Sequence, residues 1–306
     1  MQSPADRAAE APAAPLLAVV GDLVEDIVVW ASEPVRHGTD TAAGVFRTRG
    51  GSAANVAALA APLVATRFIG CVGPDAAGDA LVTALEGRGV EVRVQRRGTT
   101  GAVVLIVDPE GERTMFPDRG ASALLEAVDP AWLGDVAWLH VPSYGFEREP
   151  ARSAVLALVA DARLRGVGVS IDASSTGLLQ GLGVEHVIAL YASLAPDLLF
   201  ANETEAALLG LGTDERRTAS AAATVVVKHG PLPTQVFEGG RLVASVPVDP
   251  VPGARDLTGA GDAFAAGFLA ARLAGSGAVD AARRGHAEAA RVITAPGAAG
   301  TNVNRD

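Results

Sequence analysis

The run of apolar and polar positions divides the chain into two kinds of region. Leu16 to Val20 is an unbroken apolar stretch that stops at Gly21 and Asp22, the pattern of a strand buried on both faces with a carboxylate at its carboxyl end. Ala53 to Val64 reads as a helix of small residues, Arg67 to Gly73 as the next buried strand, and Asp79 to Arg88 as an amphipathic helix stopped by Gly87 and Gly89. From Val136 onward strand and helix patterns alternate. Ala137 to Val141, Val167 to Asp172, Leu198 to Asn202, Thr224 to Lys228 and Arg241 to Pro247 read as strands. Ala151 to Arg165, Val184 to Ala192, Glu203 to Gly210, Thr218 to Ala223 and Ala278 to Thr294 read as helices. This alternation implies right-handed crossovers and a mostly parallel central sheet covered on both faces, a three-layer α/β core. Ligands of such sheets bind beyond the carboxyl ends of the strands, where Asp22, Asp172, Asn202 and Lys228 fall.

The second kind of region has a different period. Val90 to Val94 alternates, Ala102 to Val107 is solidly apolar, Pro109 to Glu112 is a turn, and Arg113 to Phe116 pairs back as a hairpin. With Ile27 to Trp30 and Gly44 to Thr48 these segments predict a small separate sheet, drawn from about 27–48 and 91–117 and placed as a lid on the core. No internal repeat or linker is visible. Residues 16–306 therefore read as one domain with a lid, and the Ala/Pro-rich residues 1–15 as a loose, disordered tail without the basic start and apolar run of a signal peptide.

Charge removes several classes of partner. With 25 basic and 35 acidic residues the formal net charge is −10, which gives no general attraction to nucleic acid or an anionic membrane. No stretch reaches the roughly 18 continuous apolar residues of a membrane span. Cys71, the single cysteine, sits in an apolar strand and reads as a small core residue, and the absence of any internal disulfide suits a reducing cytoplasm.

The chemistry concentrates in Asp256-Leu257-Thr258-Gly259-Ala260-Gly261-Asp262-Ala263-Phe264. A glycine-thinned loop here opens a helix of small and apolar residues. The first N–H groups of a helix lack intrahelical partners and carry partial positive charge, so such a loop suits an anion. A carboxylate inside an anion site is electrostatically poor unless it has a task. General base fits: Asp262 would accept a proton from an alcohol while the loop N–H groups hold the phosphoryl group under attack. Taken alone, the same four residues also read as an ordinary turn and helix cap.

The longer pattern Asp-x-Thr-Gly-Ala-Gly-Asp-Ala-Phe-x-x-Gly-Phe, with partner segments upstream in order, resembles the signature of the ribokinase-like, or PfkB, carbohydrate kinases from about Leu17 to Asn302. The resemblance implies an ATP-dependent transfer of the γ-phosphate to a primary hydroxyl of a small sugar, with Asp262 as base and Gly259, Ala260 and Gly261 as the anion loop. Gly50-Gly51-Ser52-Ala53-Ala54-Asn55 matches the sugar-binding segment, with Asn55 bonding substrate hydroxyls. Asp26 matches a polyol-binding Asp, and Asp22 is its rival because one step of register separates wall from site. Val24 stands where ribose-specific members carry a sugar-contacting Asn. Arg119 falls where relatives contact substrate or the transferred phosphate; a solvated hairpin Arg is the alternative.

On the nucleotide side, Lys228 and Gly230 match a Lys-x-Gly segment, although Pro231-Leu232-Pro233 follows in place of the usual Gly-Ala pair. Thr258 precedes the anion loop, and His286 falls where relatives contact adenine, a structural His on an Ala-rich helix being the alternative. Asn202 and Glu205 match an Asn-x-x-Glu motif that suits a hydrated Mg²⁺; the same spacing is also a capping box. Asp256, with residues around Gly297 to Thr301, matches a monovalent-cation site, which implies K⁺. Lid strands of relatives often form homodimers. Two other functions compete: a nucleoside kinase of adenosine type on the same fold, and a non-catalytic sugar- and nucleotide-binding regulator. A nicotinamide-dependent dehydrogenase would need Gly-x-Gly-x-x-Gly after an early strand, and none occurs there.

Overall fold

The computed structural model describes residues 14–252 and 257–294. The buried run Leu16–Val20 (β1) lies near the middle of a nine-stranded sheet, as its lack of polar positions requires. The remaining strands are Val24–Ala31 (β2), Ala43–Gly50 (β3), Ala65–Val72 (β4), Glu91–Arg96 (β5), Thr100–Val107 (β6), Arg113–Gly120 (β7), Val136–Pro142 (β8), Gly168–Asp172 (β9), Leu198–Asn202 (β10), Thr224–His229 (β11), Leu232–Glu238 (β12) and Arg241–Val246 (β13). The helices are Ser52–Ala60 (α1), Ala76–Glu86 (α2), Ala151–Leu164 (α3), Thr176–Leu182 (α4), Val184–Leu194 (α5), Glu203–Leu209 (α6), Glu215–Ala221 (α7), Ala260–Leu273 (α8) and Ala278–Ile293 (α9).

The large sheet runs β13-β12-β11-β10-β9-β8-β1-β4-β5, parallel from β11 to β5 and antiparallel at the β11-β12-β13 edge. Two apolar cores cover its faces. Side chains of α3 to α7 fill one, and those of α1, α2, α8 and α9 fill the other. Phe200 of β10 is fully buried in the second core, edge-on to Phe264 and Phe268 of α8 at ring separations of 6.1 and 5.2 Å. That aromatic contact fixes α8 against the sheet just beyond the anion loop.

A second, four-stranded sheet has the order β3-β2-β6-β7. The hairpin of β6 and β7 forms in the expected place, with Val107 opposite Arg113. Glu91 to Val94 does not join it. Those residues lie in β5, which extends the large sheet by pairing parallel with β4, Phe68 opposite Val92. The alternation of Val92 and Val94 is that of an edge strand with one face on the core, which local pattern alone does not distinguish from a lid strand. Pro231 also reads differently in three dimensions. Gly230 (φ 59°) and Pro231 form a two-residue turn, and the chain returns at once as β12, with His229 opposite Leu232. Among the described residues no single helix is long and apolar enough to cross a membrane.

Phe200→Ala should cost about 3–5 kcal/mol, the range for emptying a packed aromatic site. Equilibrium urea denaturation measures this, and a loss well under 1 kcal/mol would show that α8 does not depend on the contact.

Candidate active site

Two helix N-termini meet at the carboxyl edge of the large sheet. α8 begins at Ala260 after Gly259, whose φ of 76° is the left-handed conformation that glycine adopts without strain. α1 begins at Ser52 after Gly51, with φ 96° and the Asp22 carbonyl only 2.3 Å from where a Cβ would stand, so no other residue fits there. Between these helix starts lies Asp262. Ser52 Oγ donates to Asp262 Oδ1 at 2.7 Å, and Asn55 Nδ2 donates to Oδ2 at 3.0 Å. Burial pushes the Asp262 carboxyl up to about 6, against the opposing pull of these two bonds. A carboxylate so placed is ionised at neutral pH yet basic enough to take a proton.

The substrate-side residues separate into two groups. Arg49 Nη1 donates to Asn55 Oδ1 at 2.9 Å, which fixes the amide so that its nitrogen faces Asp262. Burial lowers the Arg49 guanidinium to about 10. Asp26 on β2 lies over Gly50, which has no room for a side chain because Asp26 Oδ1 stands 2.0 Å from its Cβ position. Burial raises Asp26 to about 6, the charge of Arg49 opposing, and its carboxylate has no hydrogen-bond partner among the described residues. Asp22 and Arg119, both expected to meet substrate, instead meet each other. Arg119 Nε and Nη2 donate to the two Asp22 oxygens at 2.7 and 2.6 Å, and Nη1 donates to Glu147 at 3.0 Å. A bidentate pair whose side chains are 11% and 13% exposed has little left to offer a ligand. Of the two rival carboxylates, Asp22 is taken up by Arg119, whereas the Asp26 side chain has no hydrogen bond among the described residues.

On the other side, Lys228 Nζ donates to Asp172 Oδ2 at 3.1 Å and lies 3.4 Å from the Cβ position of Gly261, beside the anion loop. Burial alone would lower this ammonium, but the Asp172 and Glu205 carboxylates outweigh it and hold it above its ordinary range. Asn202 and Glu205 form the capping box in full: Glu205 N–H donates to Asn202 Oδ1 at 2.9 Å and Asn202 N–H donates to Glu205 Oε2 at 2.8 Å. Thr204 also donates to Asn202 Oδ1, so this amide oxygen is largely spent. Glu205 is buried and raised by that burial and by Asp172. No cluster of three or more His, Cys, Asp or Glu spaced for a metal occurs among the described residues. An ion held at Asn202 and Glu205 would have few protein oxygens and would keep its waters.

Thr258 is bonded to Arg113 of β7, which brings the small sheet against the anion loop. His286 on α9 packs edge-on to Phe264 at 5.1 Å, and burial keeps its imidazole below the usual range. Asp256 and Gly297 to Thr301, the expected monovalent-cation residues, lie outside the described residues. Three groups at the cleft belong to none of the motifs; one is Arg49, which only the pairing of β3 with β2 brings over Asn55. Asp172 follows from its place at a strand end, whereas Tyr144, just after β8, is raised by burial and by the nearby Asp172, Asp22 and Asp262 charges, and only the fold brings it there.

A kinase site on a sheet of this topology agrees with the comparisons. The model for the pfkB family of carbohydrate kinases matches residues 14–305. The chain is 35% identical over 240 residues to the ATP-dependent ribose-1-phosphate kinase of Halopiger xanaduensis, covering 73% of each. It is 33% identical over 266 residues to the fructokinase of Klebsiella pneumoniae, covering 82% of each. The structure of Arabidopsis thaliana ribokinase complexed with ribose and ATP superposes with a TM-score of 0.78 at 25% identity, over 94% of this chain and 95% of that one. The protein belongs to the pfkB family of carbohydrate kinases and has the ribokinase-like fold.

Removing Asp22 leaves the buried Arg119 with only Glu147 to offset its charge. Asp22→Ala should cost about 1–3 kcal/mol, and Asp22→Ala with Arg119→Met should recover part of it. Chemical denaturation of wild type, both single variants and the double variant reads this directly; strictly additive losses would mean the two side chains are not coupled.

Proposed function

We propose that the protein transfers the γ-phosphate of ATP to a primary hydroxyl of a small sugar, with Asp262 as general base. The observation that carries the reading is the Asp262 carboxylate at the start of α8, inside an anion loop, held by two side chains of the sugar-binding segment. The acceptor hydroxyl gives its proton to Asp262, its oxygen bonds to the γ-phosphorus, and the bond to the bridging oxygen breaks to release ADP. Gly259 and Gly261 present backbone N–H groups to the transferring phosphoryl oxygens, the Ala260 N–H being bonded to the Leu257 carbonyl at 3.2 Å, and Lys228 adds a positive charge beside them. Mg²⁺ bound with the nucleotide would neutralise phosphoryl charge, with Glu205 and Asn202 reached through its waters.

On the sugar side, Asp26 accepts from paired hydroxyls and Asn55 offers its amide, while Gly50 and Gly51 let the backbone approach. Thr258, Gly230 and His286 line the nucleotide side. The small sheet serves as a lid that excludes water from the transfer. Three of its arginines support this role by bonding the rim of the cleft: Arg49 to Asn55, Arg113 to Thr258 and Arg119 to Asp22. Val45, Met115 and Phe116 of the same sheet are exposed, which supports a homodimer through the lid; a monomeric mass in solution at micromolar concentration would contradict it. K⁺ at Asp256 and a cytoplasmic location complete the reading. A nucleoside acceptor is the second reading, supported by Tyr144 at the cleft.

ADP release from Mg-ATP should depend on one of ribose, ribose 1-phosphate, fructose, 2-dehydro-3-deoxygluconate or adenosine, and turnover with adenosine alone would favour the second reading. Asp262→Asn should lose about 10²- to 10⁴-fold in kcat with ATP affinity little changed. Because the base works only when ionised and titrates near 6, wild-type kcat/KM should be flat above neutrality and fall as pH drops through that value. Near-normal turnover of the variant would remove Asp262 from the mechanism.

A further inference from the structure

Asp262 in the unliganded protein is not an open base, since each carboxylate oxygen already accepts a hydrogen bond. The two donors are unlike. Asn55 is itself a candidate sugar ligand, and its amide is shared between Arg49 and Asp262, so a sugar hydroxyl that binds the amide competes directly with Asp262. Ser52 has no other hydrogen-bond partner among the described residues, and its bond to Oδ1 is the shorter one. Its backbone is fixed as the first residue of α1, directly after the left-handed Gly51 that is wedged against the Asp22 carbonyl. One donor is built to stay and the other to leave.

Resting on the reading of Asp262 as base, we propose that Ser52 is a positioning residue: its hydroxyl holds Oδ1 throughout turnover, and binding of the acceptor at Asn55 frees Oδ2 to take the proton. No bond to Ser52 is made or broken. The proton passes from the acceptor hydroxyl to Oδ2, while Ser52 keeps the carboxylate plane aimed along the line of transfer and favours its charged form. The base is then masked until a sugar arrives, which limits phosphoryl transfer to water when ATP is bound alone.

The other groups facing Asp262 are the Asp172 carboxylate from β9, the Lys228 ammonium from β11, the Arg49 guanidinium from β3 and the Tyr144 hydroxyl after β8. His286 of α9 packs against Phe264, two residues along α8 from Asp262. None of these is altered by a change at Ser52, so a change in Asp262 titration there reports the Ser52 bond.

The test is a carboxyl ¹³C NMR titration of the full-length protein without ligands, the Asp262 signal being assigned by its loss in Asp262→Asn. In Ser52→Ala the Asp262 midpoint should rise by about one pH unit, the effect of losing one hydrogen bond to a charged acceptor, and Ser52→Thr should restore it. With whichever acceptor turns over, the acid limb of kcat/KM should move up by the same amount in Ser52→Ala, with KM for the acceptor changed less than threefold. An unmoved midpoint in a folded Ser52→Ala protein overturns the proposal, as does a loss confined to KM with the acid limb in place. Should Ser52→Ala not fold, a Ser52→Thr protein whose midpoint differs from wild type by a unit or more is the contrary result, and one that matches it is the expected result. Full activity of Asp262→Asn would refute the base itself, an outcome separate from the Ser52 titration.

Discussion

Everything at the carboxyl edge of the sheet depends on holding one carboxylate where the surroundings oppose its charge. Asp262 stands at the start of α8, where the helix end favours an anion but the intended anion is a phosphoryl group, and burial raises its pKa. Two donors from α1 offset part of that cost. Their placement depends in turn on Gly51 and the close approach of the Asp22 backbone. On the far side, Phe200 locks the first turns of α8 to β10. The two helix starts, one strand end and one glycine form a single mechanical unit, assembled from segments more than 200 positions apart in sequence.

A protein with a net charge of −10 handles a polyanion by local means. Lys228 is kept charged by Asp172 and Glu205 and delivered beside the Gly261 backbone. The small sheet contributes three arginines, and each has a different partner on the core: an amide, a hydroxyl and a carboxylate. They tie the small sheet to both halves of the cleft, so the arrangement of the site depends on where that sheet sits.

The local signals in the sequence were those whose physics is local. The glycine-thinned helix start at Gly259 to Asp262, the strand-end carboxylates and the capping box of Asn202 and Glu205 each follow from neighbours within a few positions, and each is present in the fold. The alternation that predicts a parallel sheet is likewise a repeating local pattern, and the topology agrees with it. What the sequence left open is pairing across distance. Residues 91–96 alternate equally well for a lid strand or an edge of the large sheet, and only β4 decides. That Asp22 and Arg119 bond each other is visible only once the fold puts them face to face. Ser52 carries no signature at all, because a serine at a helix start has an ordinary capping explanation, and its contact with Asp262 exists only once α1 and α8 converge.

The position of the acceptor hydroxyl decides whether Asp262 is the base. A crystal structure with a sugar that turns over, Mg²⁺ and a non-hydrolysable ATP analogue would show it. With Asp262 as base, the primary hydroxyl should lie within about 3 Å of Asp262 Oδ2, in line with a γ-phosphate held at the start of α8, with Asn55 turned to the sugar and Ser52 still on Oδ1. A complex in which Asn55 and Ser52 both remain on Asp262, and the hydroxyl lies against another group, would contradict it.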